Sequence, residues 1–159
     1  VTFQYNHSLK ASEIYLNGVN VNTEIRAMNV SNQVSRVAVV PEVRQKLVRL
    51  QQKMGALKGI VMDGRDIGTV VFPDAELKLF MTASANTRAK RRYDELKGSG
   101  TEVTFEAVLE NITSRDYLDS TRKESPLLKA NDAIEIDNSN MSLEQQFEQV
   151  LAIVNSKLH

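Results

Sequence analysis

The densest chemistry in the 159-residue chain lies in Gly59-Ile-Val-Met-Asp-Gly-Arg-Asp-Ile-Gly-Thr69. Asp63, Arg65 and Asp66 place two carboxylates and one guanidinium within four positions, with Gly64 between them and Gly68 just beyond. Carboxylates accept from hydroxyl and amino groups, and a guanidinium fork grips phosphate through paired N–H groups. The two glycines permit positive φ and close backbone approach. Together these residues suit a charged, polar ligand. A turn carrying a surface ion pair is the plainer alternative; it is disfavoured because charges this dense beside a buried strand end have a partner.

A second constellation lies further on. Phe105, Val108, Leu109 and Ile112 form an apolar seam at helical spacing, and continuing that line lands on Arg115, Asp119 and Arg122. An i, i+4 salt bridge on a solvated helix end would be worth only a few tenths of a kcal/mol. The preferred reading is a helix whose first half packs and whose second half turns its charged face into a cleft. Two arginines seven apart with an acid between them suit a phosphorylated, hydroxyl-bearing ligand. Arg88, Arg91 and Arg92 form a third group, with Arg88 and Arg92 on one helical face. A solvated surface explains that group equally well. Gly98 and Gly100 nearby favour a mobile flap that would close these arginines over a triphosphate. His7 and His159 are isolated and lack metal-ligand spacing, and no Ser/His/Asp arrangement is present.

The elements that must position these groups can be read in order. Residues 1–22 alternate like strands, with Asn17-Gly18 as a hairpin turn, and predict a small antiparallel sheet too thin to stand alone. A weakly helical stretch follows from Glu24 to about Val39. Pro41 opens a clear helix that Gly55 stops. Ile60-Val-Met62 predicts a buried strand opening into the charged loop, where ligands of open α/β sheets sit. Leu77, Leu79 and Met81 predict a second strand, buried on both faces. Ser84 caps a helix over about 86–96, Lys97–Gly100 is a flexible link, and Thr104 caps a helix to about Ser120. Ser125-Pro126 ends the helical possibility. Ala133–Asp137 is a last strand, and Ser142 with Gln145 forms a capping box for an amphipathic final helix. Helices alternating with short apolar strands after residue 40 predict an α/β sheet with parallel strands.

Composition sets the outer limits. The length suits one domain. Lys plus Arg equals Asp plus Glu at 20 each, so no global field draws the chain to nucleic acid or to an anionic membrane. The absence of Cys excludes disulfides and thiolate catalysis and fits a reducing cytoplasm. No apolar stretch is long enough to span a bilayer.

Taken together, Gly59–Asp74, Arg88-Ala-Lys-Arg-Arg92, Arg115-Asp116 with Asp119 and Arg122, Ser125-Pro126-Leu127, Val34-Ser-Arg-Val-Ala38 and Pro41-Glu-Val-Arg44 closely resemble bacterial cytidylate kinases across essentially the whole chain. The resemblance implies an α/β nucleoside monophosphate kinase fold of the P-loop NTPase type, a parallel sheet flanked by helices with a small antiparallel β insert. It implies transfer of the γ-phosphoryl group of ATP, with Mg²⁺, to CMP or dCMP. By the same resemblance Ser35, Arg44 and Asp66 read the cytosine, Arg115 and Asp119 hold the ribose, and Arg65 and Arg122 hold the phosphate. Arg88 and Arg92 belong to the lid over ATP; with Arg65 and Arg122 they form the catalytic set. The loop after Asp137 lines the adenine site. Residues 1–40 fall in the monophosphate-binding region, 41–85 in the core, 86–122 in the lid region and its flanking helices, and 123–159 in the core again. The implied partners are CMP, dCMP and ATP, and the intact protein is expected to be a cytoplasmic monomer.

One departure stands out. The family's phosphate-cradling loop, G-x-x-x-x-G-K-[ST], occurs nowhere in the sequence, and the first residue is Val. That loop supplies backbone donors, a lysine and a hydroxyl for Mg²⁺. The expectation is that an N-terminal strand and this loop are missing, and that the chain alone is nearly inert. The rivals are a non-catalytic nucleotide-binding module that keeps CMP affinity, and a chain with bare sheet edges that self-associates to cover them.

Overall fold

The computed structural model describes residues 1–158; the side chains of Ser35 and Leu158 and all of His159 lie outside the described residues. The chain divides into two units, Val1–Ala38 and the remainder from Val39.

In the first unit, β1 (Thr2–Asn6), β2 (Ala11–Leu16) and β3 (Val19–Asn20) form an antiparallel sheet in the order β1-β2-β3. The β2–β3 hairpin turns at Asn17-Gly18, both at positive φ (51° and 83°), as the dipeptide predicts. Phe3 pairs with Ile14, while Gln4 pairs with Glu13, so apolar and polar residues separate onto opposite faces. The Glu13 carboxylate accepts from Asn6 and from Asn20, and these bonds lower its pKa. A 3₁₀ turn at Glu24–Arg26 precedes helix α1 (Met28–Ala38).

In the second unit, α2 (Pro41–Gly55) begins with Pro in its first turn, where a missing N–H costs nothing. Gly55 serves packing rather than a positive φ: a Cβ there would collide with the Phe72 ring. Strand β4 (Leu79–Thr82) pairs in parallel with β5 (Ile134–Asp137), in register Leu79↔Ile134 to Thr82↔Asp137. Between them lie α3 (Ala85–Gly98) and α4 (Phe105–Thr121), which pack against each other through buried Ala89, Leu96 and Val108. Ser84 and Thr104 cap these helices, accepting from the amides of Thr87 and Ala107. The Ser142/Gln145 capping box opens α5 (Leu143–Leu158): Ser142 Oγ accepts from Gln145 N, and Gln145 Oε1 accepts from Ser142 N. None of the described helices is long and apolar enough to cross a membrane.

The structure corrects several expectations. Ile60–Met62 form no strand, and Val61 is fully exposed. A strand needs a hydrogen-bonded neighbour, and none of the sheet pairings includes these residues. Met81 on β4 is exposed, so that strand is not buried on both faces. Gly64 and Gly68 do not adopt positive φ; a Cβ at Gly64 would instead meet Ile67 Cγ1 at 2.9 Å. The link at 97–100 is not loose: Lys97 and Gly98 complete α3, and Thr101 N donates to Leu96 O at 2.9 Å. On the apolar stripe of α5, Leu143, Phe147 and Leu151 are exposed.

Candidate functional site

The charged loop leads into one wide turn, Ile67–Val71, whose amides bond five residues back: Val71 N donates to Asp66 O, and Phe72 N to Ile67 O. Such turns interrupt regular geometry and recur at functional positions. The turn rests on α2, where Gln52 Nε2 donates to Val71 O. This packing brings Asp66 to Arg44 of α2, and the two form an ion pair with both side chains about nine-tenths buried. Next to Asp66 in sequence, Arg65 reaches α4 and donates through Nε to Asp119 Oδ2 at 3.0 Å.

Asp119 is the hub. Its Oδ1 accepts from Arg122 Nη1 at 3.1 Å while Oδ2 holds Arg65. Arg122 caps the C-terminus of α4 and donates through Nε to Ser125 O at 2.7 Å. The Ser125 residue that presents this carbonyl sits at φ 49°, and Leu127 N returns to Asp119 O at 2.8 Å. The Ser-Pro-Leu turn is thereby fastened to the end of the helix. Asp119 and Arg122 are only 5% and 9% exposed. Arg122 Nη2 is buried and has no hydrogen-bond partner among the described residues.

The arginines couple into one electrostatic group. Burial, above all, makes Arg122 less basic than an ordinary guanidinium; Arg44 adds to this and Asp119 and Asp66 oppose it. Arg115 is lowered first by burial and then by Arg65, with Asp119 and Asp116 opposing. Both remain cations. Six guanidiniums (Arg44, Arg65, Arg88, Arg92, Arg115, Arg122) stand against the carboxylates of Asp66, Glu95, Asp116 and Asp119. A local positive excess in a chain of zero net charge favours an anion.

The structure thus brings Arg44, Arg65, Asp66, Arg115, Asp119 and Arg122 together. Arg88 joins them through a two-pronged pair with Asp116, at 3.0 and 2.6 Å, and Arg92 is paired with Glu95. Arg91 turns elsewhere: it donates to Asn138 Oδ1, to Asn138 O and to Met141 O, clamping the loop after β5. Ser35 lies on α1 in the first unit, and its side chain is outside the described residues. Sequence reasoning quoted Asp116 and Ser125 within motifs without giving either a role, and it grouped Arg91 with the arginines of a flap over a triphosphate, whereas Arg91 holds the loop after β5. Asp116 could have been given one, since it stands next to Arg115 in a run already marked as informative.

A parallel sheet flanked by helices with guanidiniums and carboxylates gathered in the same unit, and a small antiparallel sheet in the other, are consistent with a nucleoside monophosphate kinase fold. The model of the cytidylate kinase family matches residues 1–156, and the chain belongs to that family. It is 60% identical over 154 residues to a cytidylate kinase of Flavobacterium psychrophilum, covering 97% of this chain and 68% of that protein. It is 61% identical over 153 residues to one of Flavobacterium johnsoniae (96% and 66%) and 60% identical over 146 residues to one of Parabacteroides distasonis (92% and 64%). The chain therefore spans about two thirds of the length of the curated relatives it matches.

Proposed function

We propose that the intact protein transfers the γ-phosphoryl group of ATP to CMP or dCMP, giving CDP or dCDP, in the cytoplasm and as a monomer. The observation that carries this reading is the buried, unpartnered Nη2 of Arg122 beside the Asp119 hub. A buried cationic N–H without an acceptor costs free energy, and a phosphate oxygen would satisfy it. Arg65 and Arg122 then hold the acceptor phosphate. Arg115 and Asp119 take the ribose; the two Asp119 oxygens already accept from arginines but retain lone pairs for hydroxyls. Asp66, with Arg44, reads cytosine by accepting from its amino group; the role of Ser35 rests on the family resemblance alone. Asp66 acts as reader rather than general base, because a phosphate nucleophile is already ionised. Arg88 and Arg92 meet the ATP phosphates, and closure over them excludes water. Transfer is in line, with no covalent enzyme intermediate. In this reading Mg²⁺ enters as part of the ATP complex.

A second reading is favoured by one observation: these 159 residues contain no G-x-x-x-x-G-K-[ST] loop. On that ground the present chain alone binds CMP without turnover. Calorimetric titration of the chain with CMP, together with an assay for ADP production, separates the two readings. Binding with turnover supports a complete enzyme, and binding without turnover supports a nucleotide-binding part of one. No CMP binding by either the chain or the intact protein sinks both. Competition among CMP, dCMP, UMP and AMP ranks the acceptors.

A further inference from the structure

We infer that Asp116 is a positioning residue, which holds the Arg88 fork so that its remaining N–H groups meet the phosphates of the phosphoryl donor. This rests on the kinase reading above and adds to it a residue to which no role has been given. Arg88 lies in the first turn of α3, just after the Ser84 cap, on a rigid element. Its Nε donates to Ala83 O at 3.1 Å, and Nη1 and Nη2 donate to the two oxygens of Asp116 at 3.0 and 2.6 Å. Three of the five N–H groups are thereby engaged, leaving one on each terminal nitrogen. The Arg88 and Asp116 side chains are each 36% exposed, so an anion can reach the pair. A free arginine has many rotamers, and here the side chain is ordered before any ligand arrives.

Asp116 could instead serve merely as a counter-charge in a cluster rich in arginine. The geometry argues otherwise, because screening needs no fork-on-fork register. The two roles also differ in sign. Removing the carboxylate makes the cluster more positive. A counter-charge role therefore predicts tighter nucleotide binding and unchanged kcat. A positioning role predicts a fall in kcat without a rise in KM for ATP.

The test is steady-state kinetics on the intact protein with Asp116→Asn, Arg88→Lys and the double variant, each with its Tm. Asp116→Asn should lower kcat about tenfold or more, leaving KM for CMP and ATP within twofold or lower. The double variant should be no slower than the worse single variant. A kcat within twofold of wild type, or losses that multiply in the double variant, would overturn the proposal. Should Asp116→Asn not fold, Arg88→Lys decides: it keeps the charge but loses the fork, and an unchanged kcat in that variant overturns the proposal as well. An inert wild type defeats the kinase reading itself; an active wild type with an unaffected Asp116→Asn defeats only the role given to Asp116.

Discussion

Asp119 is 5% exposed and Val61 is 103% exposed, the reverse of what residue type alone would suggest. The two belong to regions built on opposite terms. At the charged junction, Asp66, Asp119 and Arg122 are buried because each carboxylate meets a guanidinium; α2 packs on the 67–71 turn, and Arg65, next to Asp66, bridges to Asp119 on α4. Around residue 61 and along α5, Leu57, Val61, Leu143 and Phe147 stay exposed although all are apolar. Among the described residues, three charged residues are buried beside only five apolar ones. Burial thus follows which surfaces have a neighbour. A charge can be enclosed where its partner is supplied, and an apolar side chain stays outside where no element lies over it.

The strongest way to break this comparison is to remove one partner at the junction. Asp66→Ala leaves the Arg44 guanidinium buried without its carboxylate and should cost about 3–5 kcal/mol in urea unfolding. In the intact protein it should also weaken CMP far more than ATP in calorimetry. CMP affinity equal to wild type would remove Asp66 from the base site. Next in size is Gly55→Ala, which forces a methyl into the Phe72 ring at the foot of the junction. Overpacking of this kind costs about 1–3 kcal/mol; a variant as stable as wild type would mean that Phe72 moves freely aside.

A smaller effect concerns acid. Lys78, whose side chain is only 8% exposed, donates to the exposed Asp132, and this bond holds the Asp132 carboxyl below its ordinary 3.8. Because the folded pKa is depressed, the contribution is present above about pH 4 and is lost as pH falls through the folded value. Asp132→Asn should therefore flatten the acid limb of the stability curve relative to wild type. Parallel acid limbs would count against the pairing.

Much of this was legible beforehand because the signals are local. The Asn17-Gly18 hairpin, Pro41 at a helix start, the Ser84 and Thr104 caps and the Ser142/Gln145 box depend on a few neighbouring residues, and each stands where predicted. The seam on α4 that turns from Val108 to Asp119 was legible as well, since helical spacing carries a face along the chain. What was not legible depends on partners distant in sequence. Ile60–Met62 have strand-like composition, but a strand exists only if another backbone pairs with it. Helical spacing set Arg88 and Arg92 apart from Arg91, but not their partners: Arg88 binds Asp116, 28 positions away, and Arg91 binds Asn138, 47 away. No periodicity encodes the choice of partner. It follows from how α3 packs between α4 and the loop after β5.

The least disruptive prediction sharpens the comparison from the apolar side. Phe147→Ser and Val61→Thr remove apolar groups that the structure leaves in water, at 65% and 103% exposure. Neither loses packing in the fold, so each should shift stability by no more than about 0.5 kcal/mol. Urea unfolding of this chain, read at two protein concentrations, makes the measurement. A loss above about 2 kcal/mol would show that these side chains are covered in solution after all. If that loss grew with protein concentration, the cover would be a second copy. If it did not, the chain would be folding back over its own surface. Either result would replace the rule of burial by available neighbour with ordinary burial by hydrophobicity. A near-zero shift would leave the charged junction as the place where this chain concentrates its enclosed side chains.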